Sequence, residues 1–317
     1  MAEPSVIDGE LNIEQITHNG LTWVNIEKPT PKETEYLAQN YPFHPLDLDD
    51  CLSRIQRPKI DEYEDYLFIV LHFPLFSPEA RVTISGQVST FIGKDYLVTL
   101  HAGVLKPLTK LFKDCQINEE ARQENMKSPG YLLYRVIDRL IDYCLPITNR
   151  IMWNIEKVEN DIFDTRGRGT VREISILRRD IISFRRIIWP MRAVIATLER
   201  KTQQFTRKED MGVYWGDLID HVDKIWDTLD ACKEIIEGLK DTNDSLYSHR
   251  TNEVMRVLTI IATIMMPLTL VASIYGMNVP LPGGLENGSI NSFIIILLIM
   301  LVAIGAMLLY FRRRHWI

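Results

Sequence analysis

Two stretches near the end of the chain carry no charged residue: VLTIIATIMMPLTLVASIY from Val257 to Tyr275 and FIIILLIMLVAIGAMLLYF from Phe293 to Phe311, nineteen residues each. Wound as a helix, each is about 28 Å long, roughly the hydrocarbon thickness of a bilayer. One such run could be a core helix. Two runs of this length, the second ending six residues before the last one, read as a pair of transmembrane helices. Arg250 and Arg256 precede the first, Arg312, Arg313, Arg314 and His315 follow the second, and the connection between them has no Lys or Arg. The positive-inside rule therefore puts the large N-terminal part and the short basic tail in the cytoplasm and the connection outside. The opening MAEPSVIDGE has neither a basic n-region nor an apolar h-region, so no secretory signal is expected.

Averaged over 317 residues the chain looks like an ordinary soluble protein, 46% hydrophobic and 25% charged with net charge −6 and mean hydropathy −0.05. That balance excludes disordered and collagen-like chains, and the acidic sign argues against nucleic acid as a partner. Residues 1–256 hold 33 Lys and Arg against 41 Asp and Glu, a net of −8, which suits a protein that handles cations. Cys51, Cys115, Cys144 and Cys232 are widely spaced without a CxxC, which argues against a zinc site or a disulfide frame.

Within the cytoplasmic part, residues 1–125 alternate strand-like runs (21–26, 66–73, 87–93 and 96–100) with helix-like stretches after Thr30 and after Gly103, the pattern of a small α/β domain. Residues 126–256 read as a stalk of long helices. The first runs through Leu133, Ile137, Leu140, Cys144, Ile147, Ile151, Val158 and Ile162 at a 3-4 spacing interrupted only near Asn154, RGRG at 166–169 turns the chain, and a second follows through LRRDIISFRRIIWPMR. A third starts near Val213, carries the heptad seam Val222, Ile225, Leu229, Cys232, Ile236, Leu239 and Leu246, and is expected to run into the first span, about 95 Å in all.

On that helix Asp241, Ser245, Ser248, Asn252, Met255, Thr259, Ala262, Met266, Thr269 and Ser273 follow one another at intervals of three or four. The opposite side (Val257, Ile260, Ile261, Ile264, Leu268, Val271) is apolar. Small and hydroxylated residues in a membrane helix serve close helix packing and bonds to their own i−4 carbonyls. They equally suit the wall of a water-filled path, because polar intramembrane residues face a cavity or a partner. One helix face cannot enclose such a path, so a pore requires several copies around an axis. The second span, broken only by Gly305, reads as the lipid-facing wrapper.

At Tyr275-Gly276-Met277-Asn278, directly after the first span, the sequence resembles the CorA family of magnesium transport proteins, which carry Gly-Met-Asn between two C-terminal spans and end in a basic tail. TNEVMRVLTIIATIMMPLTLVASIYGMN, the closing FRRRHWI, HPLDLDDCLSRIQRPKI (44–60) and YWGDLIDHVDKIWDTLD (214–230) extend the likeness over the whole chain. The resemblance implies a funnel-shaped homopentamer in the cell (inner) membrane, with an α+β cytoplasmic domain, long stalk helices and a two-helix transmembrane hairpin. Its parts would be the pore-lining span 257–275, an external loop 276–292, the second span 293–311 and the tail 312–317, with both termini cytoplasmic. It implies a selectivity filter of Gly276, Met277 and Asn278, where neutral oxygens meet hydrated Mg2+ without trapping it. The pore face would run through Asp241, Asn252, Met255, Leu258, Thr259, Ala262, Met266, Thr269 and Ser273. It further implies regulatory Mg2+ between subunits at Asp49, Asp50 and Asp217, although acidic residues on helices are ordinarily a solvated surface.

No GK[ST] phosphate loop occurs, and a divalent ion entering a cell gains about 4.6 kcal/mol per 100 mV, so transport is expected to be passive. Cargo would be Mg2+, with Co2+ and Ni2+ as further ions. A zinc or cobalt transporter of the same architecture and a non-transporting membrane-anchored scaffold are the competing readings. An enzyme is not expected, since His18, His44, His72, His101 and His221 form no HExxH or comparable array.

Overall fold

The computed structural model describes residues 11–53, 56–162, 169–206, 210–277 and 290–316. They fall into two compact units, residues 1–240 and 241–317.

The first unit is built on a six-stranded sheet: β1 (Ile13–His18), β2 (Leu21–Glu27), β3 (Lys59–Glu62), β4 (Leu67–Ser77), β5 (Val82–Ile92) and β6 (Tyr96–His101). Its order is β1-β2-β6-β5-β4-β3, with β2 and β6 parallel and every other pair antiparallel. Successive residues of β4 from Leu67 to Val70 are all buried, so the sheet is covered on both faces. On one side α1 (Pro31–Asn40) and α2 (Pro45–Leu52) supply Leu37, Leu48 and Cys51 to a core with Val24, Ile26, Phe68, Phe91 and Val98. Phe43, between the two helices, stacks on Phe91 at 3.9 Å.

Helices α3 (Lys106–Ile117), α4 (Glu119–Asn125), α5 (Pro129–Asp142), α6 (Cys144–Asp161) and α7 (Thr170–Lys201) complete the unit, together with the first part of α8 (Gly212–Tyr275). Trp23 of β2 meets Phe112 of α3 edge to face at 5.0 Å. α7 lies against β4 and β5, and polar bonds fix it there. The buried Asp180 carboxylate accepts from the Thr83 backbone N–H of β5 and pairs with Arg150 of α6 at 2.9 Å, while Arg81 forks onto Glu173 at 2.9 and 2.6 Å. α5, α6 and α7, read from sequence as part of a stalk, thus pack directly on the sheet.

The gap in the apolar spacing near Asn154 is filled by the buried Ile155, and the chain instead breaks into two helices further upstream. α5 ends at Asp142 and α6 starts at Cys144, with Asn154 inside α6. Pro146 explains this: it has no N–H for the Asp142 carbonyl, and it is tolerated in the first turn of a new helix, where no donor is required. The RGRG turn lies outside the described residues except for Gly169.

α8 is a single helix of 64 residues. Its expected seam is buried from Val222 through Leu239, extends upstream to Trp215 and Leu218, and leaves Leu246 half-buried. Trp226 packs against Trp189 of α7 with tilted rings 4.5 Å apart, and Arg185 and Arg192 of α7 pair with Asp230 and Asp223.

The second unit holds the rest of α8 and α9 (Ile290–Arg313). Both helices are long and apolar enough to cross a membrane. α9 closes with His315 in the left-handed region (φ 57°), where the Trp316 N–H reaches the Phe311 carbonyl at 3.0 Å and the His315 N–H reaches that of Arg312 at 3.1 Å. This αL cap stacks Trp316 on Phe311 at 5.8 Å.

Candidate functional site

Within residues 257–275 of α8 the shielded positions are Ile260, Ile264, Pro267, Leu268, Val271 and Tyr275, and those of α9 are Ile296, Met300, Ala303, Ile304, Met307 and Phe311. Each set keeps a three-or-four spacing, the stripe that two helices lying side by side produce. The seam residues Asn252, Met255, Thr259, Ala262, Met266, Thr269 and Ser273 are all exposed. At about 100° per residue the centre of the seam stands roughly 160° round α8 from the centre of the shielded stripe. The small and polar face therefore lies opposite the shielded stripe of the same helix. Leu258, also exposed, lies at its edge, and Asp241 and Asn252 continue the seam toward the N-terminal end of the helix. Of the apolar side named from spacing, Ile260, Ile264, Leu268 and Val271 are shielded while Val257 and Ile261 remain exposed.

Thr259 donates to the Met255 carbonyl and Thr269 to that of Met265, each at 2.8 Å. These hydroxyls keep acceptor lone pairs facing outward. Pro267 has no N–H to offer, so the Thr263 carbonyl has no helix partner at that level. α8 closes at Gly276, whose N–H bonds the Ala272 carbonyl at 2.9 Å, and Met277 reaches the Ile274 carbonyl at 3.3 Å. A Cβ at Gly276 would stand 3.1 Å from the Ala272 oxygen, so the close at this position favours glycine. Asn278, expected as the third filter residue, lies outside the described residues.

The acidic run HPLDLDD forms α2, and helix geometry sorts its carboxylates. Pro45 opens the helix and the His44 ring accepts from the Leu46 N–H at 3.2 Å. Asp47 turns inward, 2% exposed, and takes a bond from the Tyr66 hydroxyl at 3.2 Å. Burial holds its carboxyl above the usual range, against the bonds from Tyr63 and Tyr66. Asp49 is exposed on the outer face and Asp50 sits at the edge. Asp50 accepts from Gln56 Nε2 at 2.7 Å and pairs with Lys59 Nζ at 2.7 Å. Burial disfavours the Lys59 charge, but its bonds to Asp50 and Asp61 outweigh that and hold the ammonium above the ordinary lysine range. Asp217, in the first turns of α8, is exposed, with the His221 ring 3.8 Å away.

Among the described residues no group of three or more His, Cys, Asp or Glu is placed to hold a metal within one chain. All four cysteines are free and buried. Sequence reasoning missed Lys59 and Gln56 as partners of Asp50, although both stand in the quoted stretch HPLDLDDCLSRIQRPKI.

A mixed sheet sandwiched by helices and two helices long and apolar enough to cross a membrane, one of them the 64-residue α8 with a polar face opposite its shielded stripe, give the architecture of a membrane-spanning protein with a large folded head. A profile described as "CorA-like Mg2+ transporter protein" matches residues 18–313. The "Cobalt/magnesium transport protein CorA" of Thermotoga maritima is 32% identical over 297 residues, 93% of this chain and 83% of that one. The "Putative metal ion transporter YfjQ" of Bacillus subtilis is 32% identical over 305 residues, covering 93% and 89%. In three dimensions the CorA magnesium transporter of Methanocaldococcus jannaschii superposes with a TM-score of 0.80 at 25% identity, covering 99% of this chain and 97% of that one. The chain belongs to the CorA family of divalent-cation transport proteins. It is a transporter and not an enzyme.

Proposed function

We propose that the chain is one subunit of a homopentameric channel in the cell membrane that admits Mg2+, and also Co2+ and Ni2+, down the membrane potential. The observation that carries this reading is the exposed seam on α8, roughly 160° round the helix from its shielded stripe. Five copies arranged with that face inward line a path with Asn252, Thr259, Thr269 and Ser273 as polar rings and with Met255, Leu258 and Met266 as apolar constrictions that gate by dewetting. Asp241 and Ala262 complete the wall. α9, apolar all round, faces lipid, and the arginines at its end fix the head and both termini in the cytoplasm. Spans at 257–275 and 293–311, with the loop 276–292 outside, then place Gly276, Met277 and Asn278 at the outer mouth. Amide oxygens there bond the water shell of Mg2+, which dehydrates reluctantly, and release it quickly. The cobalt in the name of the Thermotoga relative supports a second cargo.

Regulation follows from the carboxylates. Asp49 and Asp50 of one head face Asp217 of the next, and intracellular Mg2+ bridging them cancels repulsion between subunits and holds the closed state. When the ion leaves, the heads separate and the seam opens. The domain parts are a sheet domain over 1–125, a stalk over 126–256 and the tail 312–317. The test is Mg2+ flux into proteoliposomes under an imposed potential, with Co2+, Ni2+ and Zn2+ as competitors. Asn278→Ala abolishes uptake while the oligomer still assembles; undiminished flux would end the filter assignment.

A further inference from the structure

If Asp50 is a regulatory ligand, as read above, it is not a bare one. Lys59 Nζ stands 2.7 Å from Asp50 Oδ2 and 2.5 Å from Asp61 Oδ2, bridging the two carboxylates. Gln56 Nε2 takes Asp50 Oδ1 at 2.7 Å. Both Asp50 oxygens are therefore occupied by donors of the same chain. The Asp50 and Lys59 side chains are 22% and 32% exposed, so the pair lies at the edge of the head where a solvated ion can reach it.

The local fold supplies Lys59 with an alternative seat. Lys59 and Asp61 are two apart on β3, so they project from the same face of the strand. The ammonium can stay with Asp61 while it leaves Asp50. An oxygen that accepts from an ammonium cannot also give its full charge to Mg2+, which binds carboxylates at short, near-octahedral distances. An ion arriving at Asp50 has to displace Lys59. A divalent ion wins that exchange only above some concentration, because the tethered cation is always present.

We infer that Lys59 is a built-in competitor for the regulatory ion: it occupies Asp50 when intracellular Mg2+ is low, swings to Asp61 when Mg2+ binds, and so sets the concentration at which transport closes. A purely structural role, latching the end of α2 to β3, uses the same contacts but gives the opposite sign on mutation. A competitor, once removed, raises the affinity of the site for Mg2+. A latch, once removed, lets Asp50 wander and lowers it.

The experiment measures the internal Mg2+ concentration that halves flux in proteoliposomes of full-length protein, for wild type, Lys59→Met, Lys59→Gln, Lys59→Arg, Asp50→Asn and Asp217→Ala. Lys59→Met keeps the aliphatic stem near Phe68, and melting temperatures confirm that each variant is folded. Both neutral variants lower the half-closing concentration by about fivefold, the scale of one exchanged ion pair. Lys59→Arg, which keeps the charge, stays at or above wild type. A half-closing concentration that rises in the neutral variants, as in Asp50→Asn, overturns the competitor role in favour of the latch. No change in them, while Asp50→Asn and Asp217→Ala raise it, overturns the role of Lys59 and leaves the regulatory site standing. No change in any variant removes the regulatory reading and this inference with it.

Discussion

Asp180 is where the sheet and the long helices of the head become one body, and its removal tests that reading quantitatively. The side chain, 2% exposed, accepts the Thr83 N–H of β5 on one oxygen and the Arg150 guanidinium of α6 on the other, at 2.9 Å. Asp180→Ala leaves a buried backbone donor unpaired, at about 1–3 kcal/mol, and strands a partly buried cation. Breaking such a pair from one side costs about 3–5 kcal/mol in total. In a unit of this size that corresponds to a melting temperature lower by on the order of 10 °C. Asp180→Asn keeps an acceptor for Thr83 and loses only the charge, so it costs about half as much. Arg150 also lies over the Phe76 ring at 3.4 Å, a contact that methionine retains. The double variant Asp180→Leu with Arg150→Met therefore recovers the part of the loss due to the stranded cation, while the unpaired Thr83 N–H still costs about 1–3 kcal/mol. The assay is chemical unfolding of the full-length protein in detergent, followed by fluorescence of the fully buried Trp23 and Trp215. A cost below about 1 kcal/mol for Asp180→Ala, or a double variant as unstable as the sum of the singles, would refute the reasoning.

Glu33 gives a pH dependence of known sign. Burial raises its pKa, but bonds from the Thr30 side chain and from the Asn12 and Thr30 N–H groups outweigh that, and the carboxyl sits below the ordinary glutamate range. Its contribution is present above the unfolded pKa and is lost as pH falls through the folded one. Glu33→Gln is expected to cost about 1–3 kcal/mol at neutral pH, with the gap to wild type closing in melts at acidic pH; a gap that widens on acidification contradicts the assignment. Asp217→Ala weakens closure by internal Mg2+ while leaving flux at low internal Mg2+ intact, read from channel currents at stepped internal concentrations. Closure at the wild-type concentration would remove Asp217 from the regulatory site.

Much of this was legible in the residues because strong periodicity leaves few alternatives. The apolar runs at 66–73 and 96–100 and the heptad seam from Val222 to Leu239 fell where strands and helix formed. β1 and β3 were missed for a physical reason: IEQITH and KIDE lie at the edges of the sheet, bury little, and carry no apolar run. α2 gives only a weak helical pattern because it is eight residues long, opened by Pro45 and the His44 cap, and buries Asp47 beside Leu48 and Cys51. The seam on α8 was readable from spacing, but which of its apolar positions would be shielded was not, since the helix is apolar on several sides. The partners of Asp50 stand in the connection after α2 and on the strand beyond it, and no local pattern encodes that pairing.

The direct test of the central claim is thiol accessibility on α8 during Mg2+ flux. The native cysteines are all buried in the head, so a membrane-impermeant, water-soluble thiol reagent reports introduced ones. Ala262→Cys, on the seam, is expected to react and to lose most of its flux, while Ile261→Cys, one position round the helix, keeps its flux under the same treatment. Flux blocked through position 261 and untouched through 262 would show that the polar face of α8 does not line the path.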